Sequence, residues 1–155
     1  MIRRAVAADA EAIVALGRGV PEAAHWRLEE YAQMLQPEDA GAALRRWVYV
    51  DQGEDGLLGF IVVMLLRAGG EVQAEIENLA VSPAARRRGT GTGLCHRALQ
   101  ELGAAGAKVV ELEVRAGNAA ALALYRGLGF ETTGMRADYY SSPTEDAQLL
   151  RAQLG

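Results

Sequence analysis

Three arginines and three alternating glycines lie together in mid-chain, between a pattern typical of a strand and one typical of a helix. The run is Val81-Ser82-Pro83-Ala84-Ala85-Arg86-Arg87-Arg88-Gly89-Thr90-Gly91-Thr92-Gly93. Glycines let a backbone approach a ligand closely, and the first N–H groups of a helix lack internal partners and carry the positive end of its dipole. We therefore expect the amides from Arg87 to Thr92 to bind phosphate, with Arg86, Arg87 and Arg88 adding charge-assisted contacts. The alternative for the arginines is an ordinary solvated charge run.

The glycine spacing differs from that of two common nucleotide-binding loops. A dinucleotide fingerprint needs Gly, one residue, Gly, two residues and Gly, whereas Gly89, Gly91 and Gly93 alternate. A P-loop needs Gly-Lys followed by Ser or Thr, which the sequence lacks. What remains is the pattern Arg86-x-x-Gly89-x-Gly91 after an apolar strand and a proline.

That pattern resembles the acetyl-CoA signature of the GNAT family of N-acetyltransferases, and the similarity covers roughly residues 71–150, about half of the chain. The remaining motifs are Glu75-Ile76-x-Asn78-Leu79-Ala80-Val81, Leu112-Glu113-Val114-Arg115-Ala116-Gly117-Asn118-Ala119-Ala120-Ala121, Leu124-Tyr125, Leu128-Gly129-Phe130 and Arg136-x-x-Tyr139-Tyr140 with Glu145-Asp146-Ala147. The C-terminal motif is similar to that of the ribosomal-protein-alanine acetyltransferase branch. The resemblance implies an enzyme that uses acetyl-CoA as co-substrate and needs no metal.

Several residues acquire a cofactor role from this resemblance. The backbone of Leu79, Ala80 and Val81 ends the strand before the loop, so it is expected to pair with the amide-rich pantetheine arm as an added strand does. Their alternative is an ordinary core strand. Asn118 and Tyr125 lie seven positions apart in a predicted helix, which puts both on one face about 10 Å apart. Asn118 is equally a candidate N-cap, and Tyr125 a candidate core residue.

The implied chemistry is attack of a neutral amine on a thioester, which requires a base and an acid. Tyr125 suits the acid role, because a phenol pKa of about 10 lies close to the value of about 8.5 for a thiol. The resemblance gives the role of base to Glu113, on the strand that leads to Asn118. Glu75 is the rival candidate for the base, because its position resembles the one at which the histone-type branch of the family carries its base. A solvated, salt-bridged Glu113 is the remaining alternative.

The acceptor is predicted less closely than the chemistry. An α-amine with a pKa near 8 is about one-tenth neutral at pH 7, whereas lysine is neutral in far less than one molecule in a thousand. An N-terminal amine therefore asks less of the base, and the branch resemblance implies the N-terminal alanine of a basic ribosomal protein. The proline that precedes Trp26 in that branch is missing, and Gly117 replaces a serine. A small amine or lysine acceptor, and a non-catalytic acetyl-CoA-binding regulator, stay open.

Residue periodicity predicts the elements that position these groups. Residues 2–6 read as a strand, 9–16 and 26–35 as helices, and 36–43 as a loop. Strands at 47–51, 57–67 and 71–81 form an antiparallel meander, and a helix at 92–105 with a strand at 108–114 makes a parallel β-α-β unit. A helix at 118–128 and a hairpin of 130–140 with 146–153 close the chain. The expected fold is an α/β mixed sheet with helices on both faces.

Composition sets the remaining expectations. The 155 residues are 50% apolar, which suits one domain, with acceptor-side helices in residues 1–45 and the acetyl-CoA-binding core in 71–130. A net charge of −4 argues against binding nucleic acid or an anionic membrane. One cysteine, Cys95, no signal pattern and no apolar run long enough to span a membrane favour the cytoplasm. Cys95 is expected to be inert, and His25 and His96 lack metal-ligand spacing. The sequence does not predict the oligomeric state.

Overall fold

The computed structural model describes residues 1–37, 39 and 41–154, which contain one seven-stranded mixed sheet. The elements in chain order are β1 (Ile2–Arg4), α1 (Ala10–Arg18), α2 (Leu28–Met34), β2 (Leu44–Gly53), β3 (Gly56–Ala68), β4 (Glu71–Val81), α3 (Thr90–Ala104), β5 (Val109–Arg115), α4 (Ala119–Gly127), β6 (Glu131–Tyr140) and β7 (Glu145–Gln153). The strand order is β1-β2-β3-β4-β5-β7-β6, and only the β4–β5 pair is parallel. The predicted mixed sheet, meander and closing hairpin are confirmed.

The sheet is covered on both faces because its interior strand β3 is apolar on both sides. Phe60 and Val62 face a core formed with α1 and α2, whereas Ile61 and Val63 face a second core under α3 and α4. All four side chains are fully buried. Removing a side chain of this size from water contributes about 1.5–3 kcal/mol to stability. Burial on both sides anchors β3, and β4 is held in place by its pairing with this strand.

Over the span in which β3 and β4 are paired, β4 has one residue more than β3. Val62 pairs with Asn78 and Val63 pairs with Ile76, so Glu77 is the extra residue of a β-bulge. Because side chains alternate along a strand, the bulge reverses which face the even-numbered residues occupy. Ile76 therefore packs under α3, whereas Ala80 packs on the α1 side.

Strands β4 and β5 separate soon after they meet. Among the described residues they pair only at Glu75 with Glu111 and at Ile76 with Leu112. Beyond that point Leu79–Val81 continue to pair with β3, while β5 is paired along its other edge with β7. The sheet consequently opens between the end of β4 and the end of β5.

The differences from the predicted boundaries are at element ends. Strand β2 begins at Leu44 rather than at residue 47, because the arginines in 45–46 continue the ladder with β3. Helix α3 begins at Thr90 rather than at residue 92, since Gly89 takes the left-handed conformation before it. Residues 38 and 40 of the predicted loop 36–43 lie outside the described residues. No helix within the described part of the chain has the length and hydropathy to cross a bilayer.

Candidate functional site

A cavity of about 570 Å³ lies where β4 and β5 separate. The segment between α1 and α2, residues 21–26, forms one wall, and residues 139–142 at the end of the β6–β7 hairpin form another. The ends of β4 and β5 form its floor, and α4 reaches it from the far side of the sheet through Asn118, Ala121 and Tyr125. The cavity is thus open to groups from both faces of the sheet.

Both candidate bases line this cavity. Glu113 lies just beyond the last paired position of β5, and an Arg136 nitrogen is 3.4 Å from its carboxylate. Glu75 lies in the first of the two paired rows, where burial and the neighbouring charges of Glu77, Glu113 and Glu111 raise its pKa to about 6. Glu113 is therefore the carboxylate nearer the opening, and Glu75 is the one whose pKa is raised toward neutrality.

Tyr125 reaches the cavity from the α4 side and is 5% exposed. Its ring packs edge-on against Phe130, with centroids 5.6 Å apart. Burial, and then the nearby Cys95 and Tyr140, raise the pKa of the Tyr125 hydroxyl well above its ordinary value. The hydroxyl therefore stays protonated and available as a hydrogen-bond donor at any pH near neutrality.

Asn118 and Tyr125 line the same cavity, in agreement with their predicted helical spacing. The Asn118 side chain also accepts a 3.2 Å hydrogen bond from the Ala121 N–H, so it is the N-cap of α4. Cys95 is fully buried, and burial raises the pKa of its thiol to about 12. This is consistent with an inert cysteine.

The glycine loop has the local geometry of an anion site. The first internal hydrogen bond of α3 runs from the Gly93 N–H to the Gly89 carbonyl, 2.8 Å, so the Thr90, Gly91 and Thr92 N–H groups precede it without an internal partner. Gly89 has φ = 79°, which a residue with a Cβ adopts only with strain. Arg86, Arg87 and Arg88 are all exposed beside it.

The segment Leu79–Val81 combines core packing with an unpaired strand edge. Ala80 is buried in the α1-side core, and Leu79 packs against the α3-side core. The backbone edge of the segment toward β5 has no strand partner among the described residues. This edge has the geometry that an added strand of amides requires, so pairing with pantetheine stays a prediction.

Sequence reasoning did not assign a site role to Asn78, which is 6% exposed. Its Oδ1 accepts from the Ala24 N–H (3.1 Å), and its Nδ2 donates to the Ala24 carbonyl (2.9 Å) and to the Tyr31 hydroxyl (3.1 Å). Asn78 thus joins the wall segment 21–26 to β4. The signal for this role was a lone amide in an otherwise apolar strand end, which requires a buried partner.

The tyrosines at the end of β6 were also left without a role. Tyr139 forms a hydrogen bond with Glu113 that raises the pKa of its hydroxyl, and Tyr140 lies under the Arg115 guanidinium, 4.4 Å from its ring centroid. Arg115 is also 3.3 Å from the Glu145 carboxylate, which accepts the Gly117 N–H at 2.6 Å. The β6–β7 hairpin is therefore tied to the end of β5.

Trp26 and Tyr31 are neighbouring aromatic residues that differ in exposure. Tyr31 is 2% exposed and packs in the α1-side core. Trp26 is only partly buried and lines the cavity, and its ring centroid is 5.6 Å from that of Tyr31. It is therefore both a packing residue and a wall of the site.

The model of the acetyltransferase (GNAT) family matches residues 11–130, well over half of the chain. The chain belongs to the GNAT family. Enzymes of this family use acetyl-CoA. The opening between β4 and β5, the unpaired strand edge and the glycine loop fit that co-substrate, and no group of three or more potential metal ligands occurs in the part of the chain that the structure describes.

Curated relatives of the chain include several named acetyltransferases. Over 76 residues the chain is 43% identical to ribosomal protein bS18-alanine N-acetyltransferase of Escherichia coli, which covers 49% of this chain and 50% of that protein. Over 99 residues it is 38% identical to N-alpha-acetyltransferase RimI of Mycobacterium tuberculosis, covering 64% and 61%. These matches span about half to three-fifths of the curated relatives' length.

A solved structure extends the likeness to the whole fold. The Escherichia coli ribosomal-protein-alanine N-acetyltransferase superposes with a TM-score of 0.77 at 27% identity, covering 100% of this chain and 94% of that one. The chain thus shares the GNAT fold and is similar to the RimI-type N-alpha-acetyltransferases.

Proposed function

We propose that this protein transfers the acetyl group of acetyl-CoA directly to the N-terminal α-amine of a polypeptide. The observation that carries the proposal is the placement of two carboxylates and one phenol around a single cavity, with the carboxylates on one face of the sheet and Tyr125 on the other. Amine and thioester then meet in the opening between β4 and β5, so the base and the acid act from opposite sides.

In this scheme Glu113 accepts the proton that the amine loses as it attacks the thioester carbonyl. It is given this role ahead of Glu75 because it lies beyond the paired row, at the opening itself. Glu75, with a pKa of about 6, is largely ionised at neutral pH and adds negative charge that attracts the acceptor ammonium. Tyr125 donates a hydrogen bond from its hydroxyl to the departing thiolate and keeps its proton, because its pKa is raised well above that of a thiol.

The cofactor side of the proposal uses the residues predicted for it. The N–H groups from Arg87 to Thr92 bind the pyrophosphate, and Arg86, Arg87 and Arg88 add charge around it. The backbone of Leu79, Ala80 and Val81 pairs with the pantetheine amides, and Asn118 fixes the start of α4 beside them. A basic protein as acceptor, and the cytoplasm as location, stay predictions.

The test is an acceptor panel. The protein is incubated with acetyl-CoA and with Ala-initiated peptides, N-terminally blocked lysine peptides, or polyamines, and the thiol released above the peptide-free rate is counted. We expect kcat/KM for Ala-initiated peptides to exceed that for both other classes. Preference for a polyamine or a blocked lysine peptide overturns the acceptor assignment. If the protein binds acetyl-CoA but acetylates no amine, it is a non-catalytic acetyl-CoA-binding regulator instead.

A further inference from the structure

A second groove of about 580 Å³ lies beside the cavity, between α2 and the start of β2. Glu30, Gln33 and Met34 line it from α2, and Arg46 lines it from β2. Trp26 and Glu77 line both the groove and the cavity, so the two spaces meet at these side chains. Glu77 is the bulge residue of β4, which is why it borders both spaces.

The groove and the cavity differ in charge. Carboxylates dominate the cavity, through Glu22, Glu75 and Glu113, and suit an ammonium group. In the groove Glu77 is paired with Arg46 at 2.7 Å, and Glu30 with Arg27 at 3.2 Å. Arg45 and Asp39 add one charge of each sign, and the same lining includes the side-chain amides of Gln33 and Gln36 and the apolar Met34 and Leu44.

We infer that the groove binds the segment of the acceptor polypeptide that follows its N-terminal residue, in extended form. Neutralised ion pairs favour neither a polyamine nor an anion, whereas side-chain amides form hydrogen bonds with a peptide backbone. The length also fits. Helix α2 has seven residues, ~10 Å, and six extended residues reach ~20 Å, enough to pass from the cavity over Trp26 and along the helix.

The inference rests on the proposed function and deepens it, because it makes the substrate a polypeptide of several residues. Its first consequence is a dependence on peptide length. With C-terminally amidated peptides that begin with Ala, we expect kcat/KM to be at least about tenfold higher for six residues than for two, since partial burial of one apolar side chain already amounts to a factor of this size.

The variant that tests the groove is Gln33→Trp. Gln33 is exposed on α2 and lines only the groove, so the larger side chain fills it without disturbing a core. Leu28→Trp is the matched control, because Leu28 is 40% exposed on the same helix and lines neither space. We expect Gln33→Trp to bring the six-residue value down to the two-residue value, whereas Leu28→Trp keeps the length dependence.

The outcomes separate this inference from the function on which it rests. Equal kcat/KM for two and six residues in the parent protein overturns the groove assignment while leaving N-terminal transfer intact. The same holds if Gln33→Trp and Leu28→Trp preserve the length dependence equally. Absence of transfer to peptides of either length overturns the proposed function instead. A thermal melt of both variants, equal to that of the parent, shows that the kinetics report on the groove.

Discussion

Replacing Asn78 with leucine tests how the acceptor wall is held. The change keeps the side-chain volume but removes three hydrogen bonds, two to Ala24 and one to Tyr31. The change leaves the backbone groups of Ala24 and the Tyr31 hydroxyl without their partner, and a buried polar group in that state costs about 1–3 kcal/mol. Leucine offsets part of this cost, because the amide no longer has to be buried. We therefore expect the free energy of unfolding to fall by ~2 kcal/mol, which corresponds to a decrease of roughly 4–8 °C in melting temperature for a chain of this size.

The loop that Asn78 holds also gives a kinetic expectation. Once released, residues 21–26 no longer form a fixed wall of the cavity, so KM for an Ala-initiated peptide should rise about tenfold. Acetyl-CoA affinity, measured by calorimetry, should stay within about twofold because the glycine loop is not touched. Gln73→Leu, the same amide-to-leucine change at an exposed position of β4, is the matched control.

A double-mutant cycle refines the magnitude. Tyr31→Phe alone removes the hydroxyl that Asn78 contacts, and combined with Asn78→Leu it should cost ~1 kcal/mol less than the sum of the two single changes. The reasoning is refuted if Asn78→Leu leaves both the unfolding midpoint and the peptide KM at the values of Gln73→Leu.

The remaining predictions concern the catalytic groups and the glycine loop. Tyr125→Phe should lower kcat at least about a hundredfold with little change in acetyl-CoA affinity, and parental turnover would remove Tyr125 from the mechanism. Glu113→Gln should lower kcat at every pH, whereas Glu75→Gln should remove only the change in activity that occurs near pH 6. The reverse pattern would make Glu75 the base and Glu113 the residue that attracts the acceptor ammonium. Folding raises the Glu75 pKa from 4.5 to about 6, so the folded state binds the proton more tightly and stability falls as pH rises through that window. Glu75→Gln should therefore stabilise the protein by ~1 kcal/mol at pH 8, after allowance for solvent screening, and not at pH 4, as denaturant titration at both pH values will show. Gly89→Ala should weaken acetyl-CoA binding, since φ = 79° costs a Cβ-bearing residue roughly 1–2 kcal/mol, and equal calorimetric affinities would contradict this.

The sequence predicted the elements well because their signals are local. Acidic and apolar residues alternate along β5 in the sequence, and in the structure Leu112 is buried in the α3-side core while Glu111 and Glu113 face away from it. The spacing of Asn118 and Tyr125 placed both on one side of α4, and they line one cavity. Such periodicities depend on backbone geometry alone, so they need no knowledge of distant contacts.

What the sequence did not predict depends on contacts between distant segments. Nothing local to Asn78 shows that its partners are Ala24 and Tyr31, more than forty residues away. The raised pKa of Glu75 likewise results from burial and from carboxylates on a neighbouring strand. A Cβ on Gly91 would lie 3.3 Å from Leu124, so a larger residue there would disturb the packing of α4 as well as the loop.

The bulge at Glu77 separates what a change of strand length does at this position from what it does elsewhere in β4. Ile76 and Leu79 lie on the α3 side and Asn78 and Ala80 on the α1 side, so these residues would alternate without interruption if Glu77 were absent. Deleting Glu77 therefore keeps the other side chains of the strand on their present faces and removes the residue that borders both the cavity and the groove. Chains that share this site should accordingly tolerate the loss of the bulge residue, whereas a deletion at a paired position of β4 would turn part of the strand over.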